Sequence, residues 1–240
     1  MDKNSMFMWY PKIAKLDIPQ PKTVFRMIPD ERLIDFLNQE AWYRADDLQD
    51  IYKAMVSLGQ PEKPVFIRTD LASAKHSWTN TCFIPAYSTI KDIEIHIARL
   101  YEENLMRDLM FIGLVIREYI PMATRFCAFW GNLPINPERR YFIRDGQKCH
   151  HPYWIEGAID EWVVSIESHA LPHHIPASWK EILAEMNTES DKEIALLTRY
   201  AEMVAGVLDG YWSVDFCLGA DNKWYLIDCA LGTASWHPEH

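Results

Sequence analysis

The sequence predicts an α+β fold of two lobes, on the basis of three observations. Segments with strand composition alternate with segments of helical periodicity, yet two pairs of strands are joined by short turns into antiparallel hairpins, which do not suit a doubly wound parallel sheet. Of the 240 residues, 49% are hydrophobic and 24% are charged, as expected of a folded protein with a sizeable core. No internal repeat and no long Pro/Gly/Ser linker is present, so the lobes should be joined tightly.

The first half of the chain alternates strands and helices. Five elements are predicted there, in this order: a strand at 23–28, one or two helices at 30–59, a strand at 63–70, a helix at 88–108 and a strand at 111–121. Asp30 stands where a helix N-cap is expected, and isoleucines recur every three to four residues in the helix at 88–108. The polar stretch 70–82 has no such periodicity and is predicted to be a loop.

The second half begins and ends with a hairpin. Residues 139–154 consist of two strand segments around an Asp-Gly turn, which is a strong hairpin signal. Residues 177–210 are predicted to form one long helical region, in which Ser178 and Glu181 match a capping box. The terminal hairpin, residues 214–232, has the sequence VDFCLGADNKWYLIDCALG.

Charge and cysteine content exclude several classes of protein. With 34 acidic and 24 basic side chains the net charge is −10, which argues against binding to nucleic acids or anionic membranes, since both require a basic surface. The five cysteines contain no C-x-x-C pair, so neither a disulfide framework nor a zinc ribbon is expected. No apolar run is long enough for a signal peptide or a membrane span, and a cytoplasmic protein is predicted.

Two aspartates of the terminal hairpin lie among apolar residues. Asp215 stands between Val214 and Phe216, and Asp228 between Ile227 and Cys229. An ionised carboxylate that is buried without a counter-charge costs several kcal/mol, which is comparable to the whole stability of a domain. Either a shared cation or an arginine partner would remove this cost, and the hairpin alone leaves both interpretations open.

Three other stretches carry candidate binding residues. Arg68 ends one strand and Lys75 follows in the polar loop, while Glu118 and Tyr119 end the apolar strand before Pro121. The segment ERRYFIRDG carries arginines whose alternation places Arg140 and Arg144 on one face of a strand and Arg139 on the other. Glu118 can also be a strand-end residue that pairs with Arg117.

In this order, the four stretches resemble the ATP-grasp superfamily, and the resemblance covers most of the chain. It implies two α+β lobes with mainly antiparallel sheets that clasp ATP, with Mg²⁺ held by carboxylates of the C-terminal hairpin. It also implies a division into an N-terminal segment with helices (1–60), a small lobe with lid loop and adenine hinge (61–120), and a large lobe with the metal-binding hairpin (121–240).

The resemblance assigns a role to each candidate residue. Arg68 matches a strand-end cation that holds the phosphates, Lys75 lies in the phosphate-covering loop, and Arg140 matches a strand cation, although the sequence alone does not exclude Arg139. Lys75 and Arg140 are thereby the expected catalytic charges. The adenine hinge matches Glu118, Tyr119 and Ile120, and the metal ligands match Asp215 and Asp228.

The chain departs from the family pattern at the metal site. The usual second glutamate is Asp228, and the usual asparagine two residues later is Ala230, so one metal ligand is lost. The remaining positive charges would still stabilise a transferring phosphoryl group.

The expected function is that of a ligase that activates a carboxylate as an acyl phosphate for attack by an amine or other nucleophile. Its substrate would be a small molecule or peptide with a carboxylate, and a protein partner is possible. The alternative is an ATP-binding assembly factor, or another non-catalytic nucleotide-binding protein of the same fold. The loop at 70–82 is expected to be a lid that is mobile without nucleotide.

Overall fold

The computed structural model describes residues 2–28, 45–129, 132–144, 147–152 and 175–236. The chain divides into two compact units, one formed by Met1–Gln20 with Ile120–His240 and one formed by Pro21–Tyr119. We call them the C-terminal unit and the central unit. The sequence grouped residues 1–60 as one segment, whereas residues 1–20 belong to the C-terminal unit and residues 21–60 to the central unit.

The central unit is built on a four-stranded antiparallel sheet with the strand order β1-β4-β2-β3. Its described elements are β1 (Thr23–Met27), α2 (Ala45–Ser57), β2 (Val65–Thr69), β3 (Phe83–Ile84), α3 (Ile90–Leu105) and β4 (Gly113–Glu118). The sheet contains the three strands predicted in the first half and adds the short β3. The predicted helical residues 30–44 lie outside the described part of the chain.

One face of the central sheet forms a hydrophobic core with the two helices. Its strand residues alternate with those of the other face and pack against apolar side chains of α2 and α3; the cluster includes Val65, Ile67, Leu114, Ile116, Met55, Ile93, Ile97 and Leu100. The helix α3 begins with a capping box, since Thr89 Oγ1 accepts from the Asp92 amide and the Asp92 carboxylate accepts from the Thr89 amide. The opposite face carries Phe66, Arg68, Val115 and Arg117.

The C-terminal unit has a four-stranded antiparallel sheet with the order β10-β9-β7-β8. Its described elements are α1 (Met6–Ile13), β5 (Phe126–Ala128), β6 (Leu133–Ile135), β7 (Glu138–Arg144), β8 (Gln147–Pro152), α4 (Trp179–Met186), α5 (Asp191–Ala205), β9 (Tyr211–Leu218) and β10 (Trp224–Leu231). Both predicted hairpins are present, and the Asp-Gly turn at 145–146 lies outside the described residues.

The predicted long helix is two helices. α4 ends at Met186 and α5 begins at Asp191, where the Ser190 side chain accepts from the Glu193 amide as an N-cap. Ser178 precedes α4, but its side chain makes no capping hydrogen bond, so the predicted capping box is wrong. The break at 187–190 was not predicted because the polar residues Asn187 to Ser190 do not interrupt helical periodicity. Within the described residues, no helix is long and apolar enough to cross a membrane.

Arg139 connects α4 and α5 to the sheet. Its guanidinium is 2.7 Å from Glu193 Oε1 and 3.5 Å from Glu189 Oε1, and it donates to the Met186 and Thr188 carbonyl oxygens. The side chain is only 2% exposed. Burial raises the pKa of Glu193, and the positive charge of Arg139 opposes this rise.

We therefore expect Arg139→Ala to destabilise the C-terminal unit by about 3 kcal/mol, since removing one member of a buried ion pair leaves the other uncompensated. Urea unfolding measures this loss. Arg199→Ala is the control, because Arg199 is an exposed arginine on α5 and its removal should leave the unfolding midpoint nearly unchanged. Equal effects of the two substitutions would contradict a structural role for Arg139.

Candidate functional site

Arg140, Asp215 and Asp228 lie side by side on three neighbouring strands of the C-terminal unit. Arg140 of β7 is the register partner of Asp215 on β9, and Asp215 is the partner of Asp228 on β10. Arg140 Nε and Nη2 donate to the two carboxylate oxygens of Asp215, each at 2.7 Å. The side chains of Arg140 and Asp215 are only 11% and 9% exposed. An arginine therefore supplies the counter-charge that the buried Asp215 requires.

The two arginines that the sequence could not separate lie on opposite faces of this sheet. Arg139 contacts residues of α5 and of the turn before it, whereas Arg140 contacts Asp215. The other members of each set follow the predicted alternation: the Tyr141 ring packs against Phe216 on the helix side, and the Arg144 guanidinium lies over the Tyr211 ring. Of the two arginines, only Arg140 lies beside the predicted metal ligands.

A β-bulge between Leu226 and Asp228 brings the second carboxylate into this row. Leu226 pairs with Phe216, but the next pairing is Asp228 with Asp215, so Ile227 is the extra residue of β10. In a regular ladder continued from Leu226, Ile227 would pair with Asp215, and Asp228 would pair with Val214 and face the helices. The bulge therefore determines that both aspartates share one face.

The residues after β10 lie along the same face. The Trp236 carbonyl oxygen accepts from Arg140 Nη1 at 3.2 Å, and the hydroxyls of Ser213 and Ser235 are 2.7 Å apart. A Cβ added to Gly232 would lie 2.4 Å from the Tyr211 ring, so only glycine permits this close approach. No pattern in the sequence predicted these contacts, since they depend on how the chain turns after the last strand.

Two carboxylates of this row can serve as ligands of a metal ion. Asp215 and Asp228 are directly opposite each other, and directly opposed residues have Cβ atoms about 5 Å apart. Each carboxylate oxygen has two lone pairs, so Asp215 can hold Arg140 and still bind a cation. Nowhere in the described ranges do three or more His, Cys, Asp or Glu side chains form a cluster that could hold a metal. The donor set suits Mg²⁺, which usually keeps several waters and borrows phosphate oxygens.

Ala230 lies next to this pair without adding a ligand. Its register partner on β9 is Ser213, which is two residues before Asp215 and therefore on the same face. Ser213 is buried, and its hydroxyl lies 3.5 Å from the Ala230 carbonyl oxygen. A hydroxyl thus stands at the level where the expected asparagine side chain is missing.

The predicted hinge residues follow the last strand of the central unit. Glu118 ends β4, and its amide donates to the Lys22 carbonyl oxygen at 2.8 Å. Tyr119 is the last residue of the central unit, and the chain enters the C-terminal unit again at Ile120. Glu118 and Arg117 are consecutive strand residues and face opposite sides of the sheet, which argues against the alternative that they pair with each other.

Arg68 is buried on β2 and holds the turn after it. Its guanidinium donates to the Thr69 and Leu71 carbonyl oxygens at 3.1 and 3.2 Å. Arg117 of β4 lies diagonally across on the same face and is buried to the same extent. From the sequence, Arg117 was considered only as a partner of Glu118, although strand alternation would have placed it beside Arg68.

The segment predicted as an irregular polar loop contains a folded part. Lys75–Asn80 form a short 3₁₀ helix, preceded by Ala74 in the left-handed conformation (φ 51°). Thr81 Oγ1 donates to the Ala74 and Ser77 carbonyl oxygens, and the Trp78 ring stacks on Phe83 at 5.7 Å. The prediction of an irregular loop is therefore wrong for 75–80, because one tryptophan provides apolar contact that the polar composition concealed. Lys75 is the first residue of this helix and is half-buried.

Comparison with known proteins decides the family. Residues 57–240 match the sequence model of an ATP-grasp domain family, the one described as family 3 of its clade. The chain belongs to this ATP-grasp family. No curated protein matches it significantly in sequence.

Solved structures of other ATP-grasp proteins have similar folds. C-terminally truncated Cdc123 from Schizosaccharomyces pombe matches with a TM-score of 0.55 and 16% identity, over 95% of this chain and 82% of Cdc123. D-alanyl-alanine synthetase A from Vibrio cholerae matches with a TM-score of 0.48 and 13% identity, over 95% of this chain and 55% of the synthetase. At such identities the likeness to Cdc123 shows the fold alone.

The ATP-grasp assignment confirms the resemblance that was inferred from the four sequence stretches, and it confirms an α+β fold with antiparallel sheets. An ATP-grasp fold implies nucleotide binding. Of the predicted residues, the structure brings Arg140, Asp215 and Asp228 together in the C-terminal unit, while Arg68, Lys75, Glu118 and Tyr119 lie in the central unit.

We expect Asp215→Asn to lower the free energy of unfolding by about 3 kcal/mol, because the nearly buried Arg140 guanidinium then lacks its counter-charge. Thermal or urea unfolding tests this. Asp17→Asn, at an exposed position, should have almost no effect. A variant at Asp215 that is as stable as the control would show that the ion pair contributes nothing to folding.

A pH dependence is expected from His76, which follows Lys75. Burial lowers the pKa of His76 to about 4 from 6.5, and the charges of Lys75 and Arg107 lower it further. The unfolded chain therefore takes up the proton first, and the folded state loses stability as the pH falls from 6.5 towards about 4.

The measurement is the free energy of unfolding between pH 7 and pH 4 for the wild type and for His76→Gln. His96, whose pKa burial also lowers, contributes with the same sign in both proteins. The wild type should therefore lose more stability than the variant over this interval. Parallel curves would contradict a His76 that stays neutral in the folded state.

Proposed function

We propose that this protein binds ATP together with Mg²⁺ and activates a carboxylate substrate as an acyl phosphate, which an amine or other nucleophile then attacks. The observation that carries the proposal is the row of Arg140, Asp215 and Asp228 across three strands of an ATP-grasp family domain. Two carboxylates and one arginine leave one net negative charge, which favours the binding of a further cation.

Asp215 and Asp228 are the proposed metal ligands, and the two have different tasks. Asp215 is held rigidly by two hydrogen bonds from Arg140, so its oxygens are already oriented. Asp228 is more exposed, and its Oδ1 accepts from the adjacent Cys229 amide at 3.0 Å. When bound, Mg²⁺ would neutralise charge on the phosphates.

Cations of the central unit are the proposed phosphate ligands. Arg68 is the strand-end cation, Lys75 is the loop cation, and Arg117 adds a third positive charge on the face of Arg68. A protein with a net charge of −10 needs such local positive charges to bind a triphosphate.

The adenine hinge is proposed for the residues after β4. The Glu118 amide is engaged by Lys22, so contact with the base falls to the backbone of Tyr119 and Ile120. Glu118 thus supports the hinge by closing the end of the β1–β4 pairing, where its side chain also accepts from the Lys22 amide at 3.4 Å.

The proposed reaction needs no protein nucleophile. A carboxylate oxygen of the substrate attacks the γ-phosphorus, the bond to the β–γ bridging oxygen breaks, and ADP leaves. The nucleophile then attacks the activated carbonyl carbon and inorganic phosphate leaves. Arg140 and Lys75 contribute positive charge that stabilises the transferring group, which is catalysis by positioning and electrostatics. The acceptor would be a small molecule or a peptide that presents a carboxylate, and it can belong to a protein partner.

A second candidate function is nucleotide binding without turnover, as in an assembly factor. Ala230 favours it, because this position supplies no side-chain ligand and the metal keeps only two carboxylates from the row. A more weakly held metal would affect phosphoryl transfer more than simple binding, since transfer requires charge neutralisation in the transition state.

The first test is stabilisation by Mg-ATP. At a ligand concentration of 100 times Kd, binding to the folded state alone should add about 2.7 kcal/mol. Asp228→Asn should largely remove the Mg²⁺-dependent part of this gain while the protein without ligand unfolds at nearly the same temperature. Asp17→Asn should retain the full gain. Wild-type protein that gains no stability from Mg-ATP would refute the proposal.

Turnover separates the two candidate functions. Steady release of ADP and phosphate in the presence of amino-acid pools, and its loss in Asp228→Asn, would support the ligase. Retention of about one ATP per chain without release would support the binding protein.

A further inference from the structure

Four aromatic rings form a cluster within the central unit. The Trp78 ring lies 5.7 Å from Phe83, 5.6 Å from Phe66 and 6.4 Å from Tyr119, and the Phe83 and Tyr119 rings are 5.1 Å apart. Phe66 and Phe83 are register partners on β2 and β3, so they form a platform on the sheet. We call these four residues the aromatic cluster.

Trp78 is the side chain by which the 3₁₀ helix Lys75–Asn80 contacts the aromatic cluster. A short 3₁₀ helix has poor hydrogen-bond geometry and cannot hold itself in place, so its position depends on side-chain packing. No residue of this helix is fully buried, and its backbone departs from helical angles at Ser77. Because Trp78 lies one turn after Lys75, its stacking on Phe83 determines where Lys75 is held.

The same ring reaches the end of β4. Tyr119 directly follows that strand and contacts both Trp78 and Phe83. The residue proposed to meet the adenine and the helix that carries the proposed phosphate cation are thus connected through one indole ring. A change in the position of Tyr119 would be felt at Trp78, since close-packed rings cannot move independently.

We infer that Trp78 is a positioning residue that couples the adenine hinge to the phosphate-binding Lys75. This inference rests on the proposed function. Occupancy of the hinge holds Tyr119, Tyr119 and Phe83 hold Trp78, and Trp78 holds the 3₁₀ helix with Lys75 in place for the phosphates. The segment is then a packed element whose order depends on the hinge, and not a free lid.

A double-mutant cycle tests the link between Trp78 and Lys75. Trp78→Ala and Lys75→Ala should each weaken Mg-ATP binding about tenfold in calorimetry, and the double variant should be little weaker than either, because neighbours that act together are not additive. Trp78→Phe, which keeps a ring, should restore most of the affinity. Tyr87→Ala is the matched control, since Tyr87 is an aromatic residue of the same unit that is 72% exposed.

Amide exchange with adenosine tests the link to the hinge. Adenosine has no phosphate for Lys75 to bind, so any slower exchange at 71–81 must be transmitted from the base. We expect adenosine, at concentrations that saturate each protein, to slow exchange there in the wild type, Trp78→Phe and Lys75→Ala, but not in Trp78→Ala. A purely structural tryptophan would change the exchange rate with and without adenosine alike.

Additive losses in the cycle, or adenosine protection that survives in Trp78→Ala, would overturn the inference while the proposed function stands. If the wild type binds no Mg-ATP, the proposed function and this inference fail together. Should Trp78→Ala not fold, as judged by its melting curve, Trp78→Leu keeps apolar volume without a ring and replaces it in both experiments, with the same outcomes expected.

Discussion

A charged side chain buried in a sheet must meet an opposite charge, and β7 imposes this requirement on both of its faces because Arg139 and Arg140 are consecutive. Arg139 meets Glu193 of α5 and the carbonyl oxygens at the end of α4, which attaches the two helices to the sheet. Arg140 meets Asp215 and the carbonyl oxygen of Trp236, which orders the opposite face. One dipeptide therefore supports both the packing of the helices and the geometry of the candidate site.

The central unit separates its two faces in a comparable way. Aliphatic side chains of β2 and β4 fill the core with α2 and α3, whereas the other face collects Arg68, Arg117 and the aromatic cluster. In both units the helices cover the face whose residues are needed for stability, and the charged residues that the ATP-grasp assignment makes relevant lie on the other face. Substitutions on the two faces should accordingly separate stability from ligand binding.

Much of this arrangement follows from the sequence. Alternation along β7 separated Arg139 from Arg140, and the four stretches identified the family, because charged residues at strand ends are a local signal. Elements that depend on distant contacts did not follow. The 3₁₀ helix at Lys75–Asn80 needs Trp78 to find Phe83, and α1 contains Pro11, which obscures its helical pattern. Arg117 was overlooked because its neighbour Glu118 offered a simpler partner, while strand geometry places the two on opposite faces.

The bulge at Ile227 has a consequence for how related sequences should be aligned in this strand. Leu226 and Asp228 are two residues apart, yet they pair with consecutive residues of β9 and therefore lie on opposite faces. Loss of the single codon for Ile227 would leave an unbroken ladder in which Asp228 still lies opposite Asp215. A homologue that is one residue shorter here can thus keep the same carboxylate pair, and a gap placed at Ile227 describes it better than a substitution of Asp228.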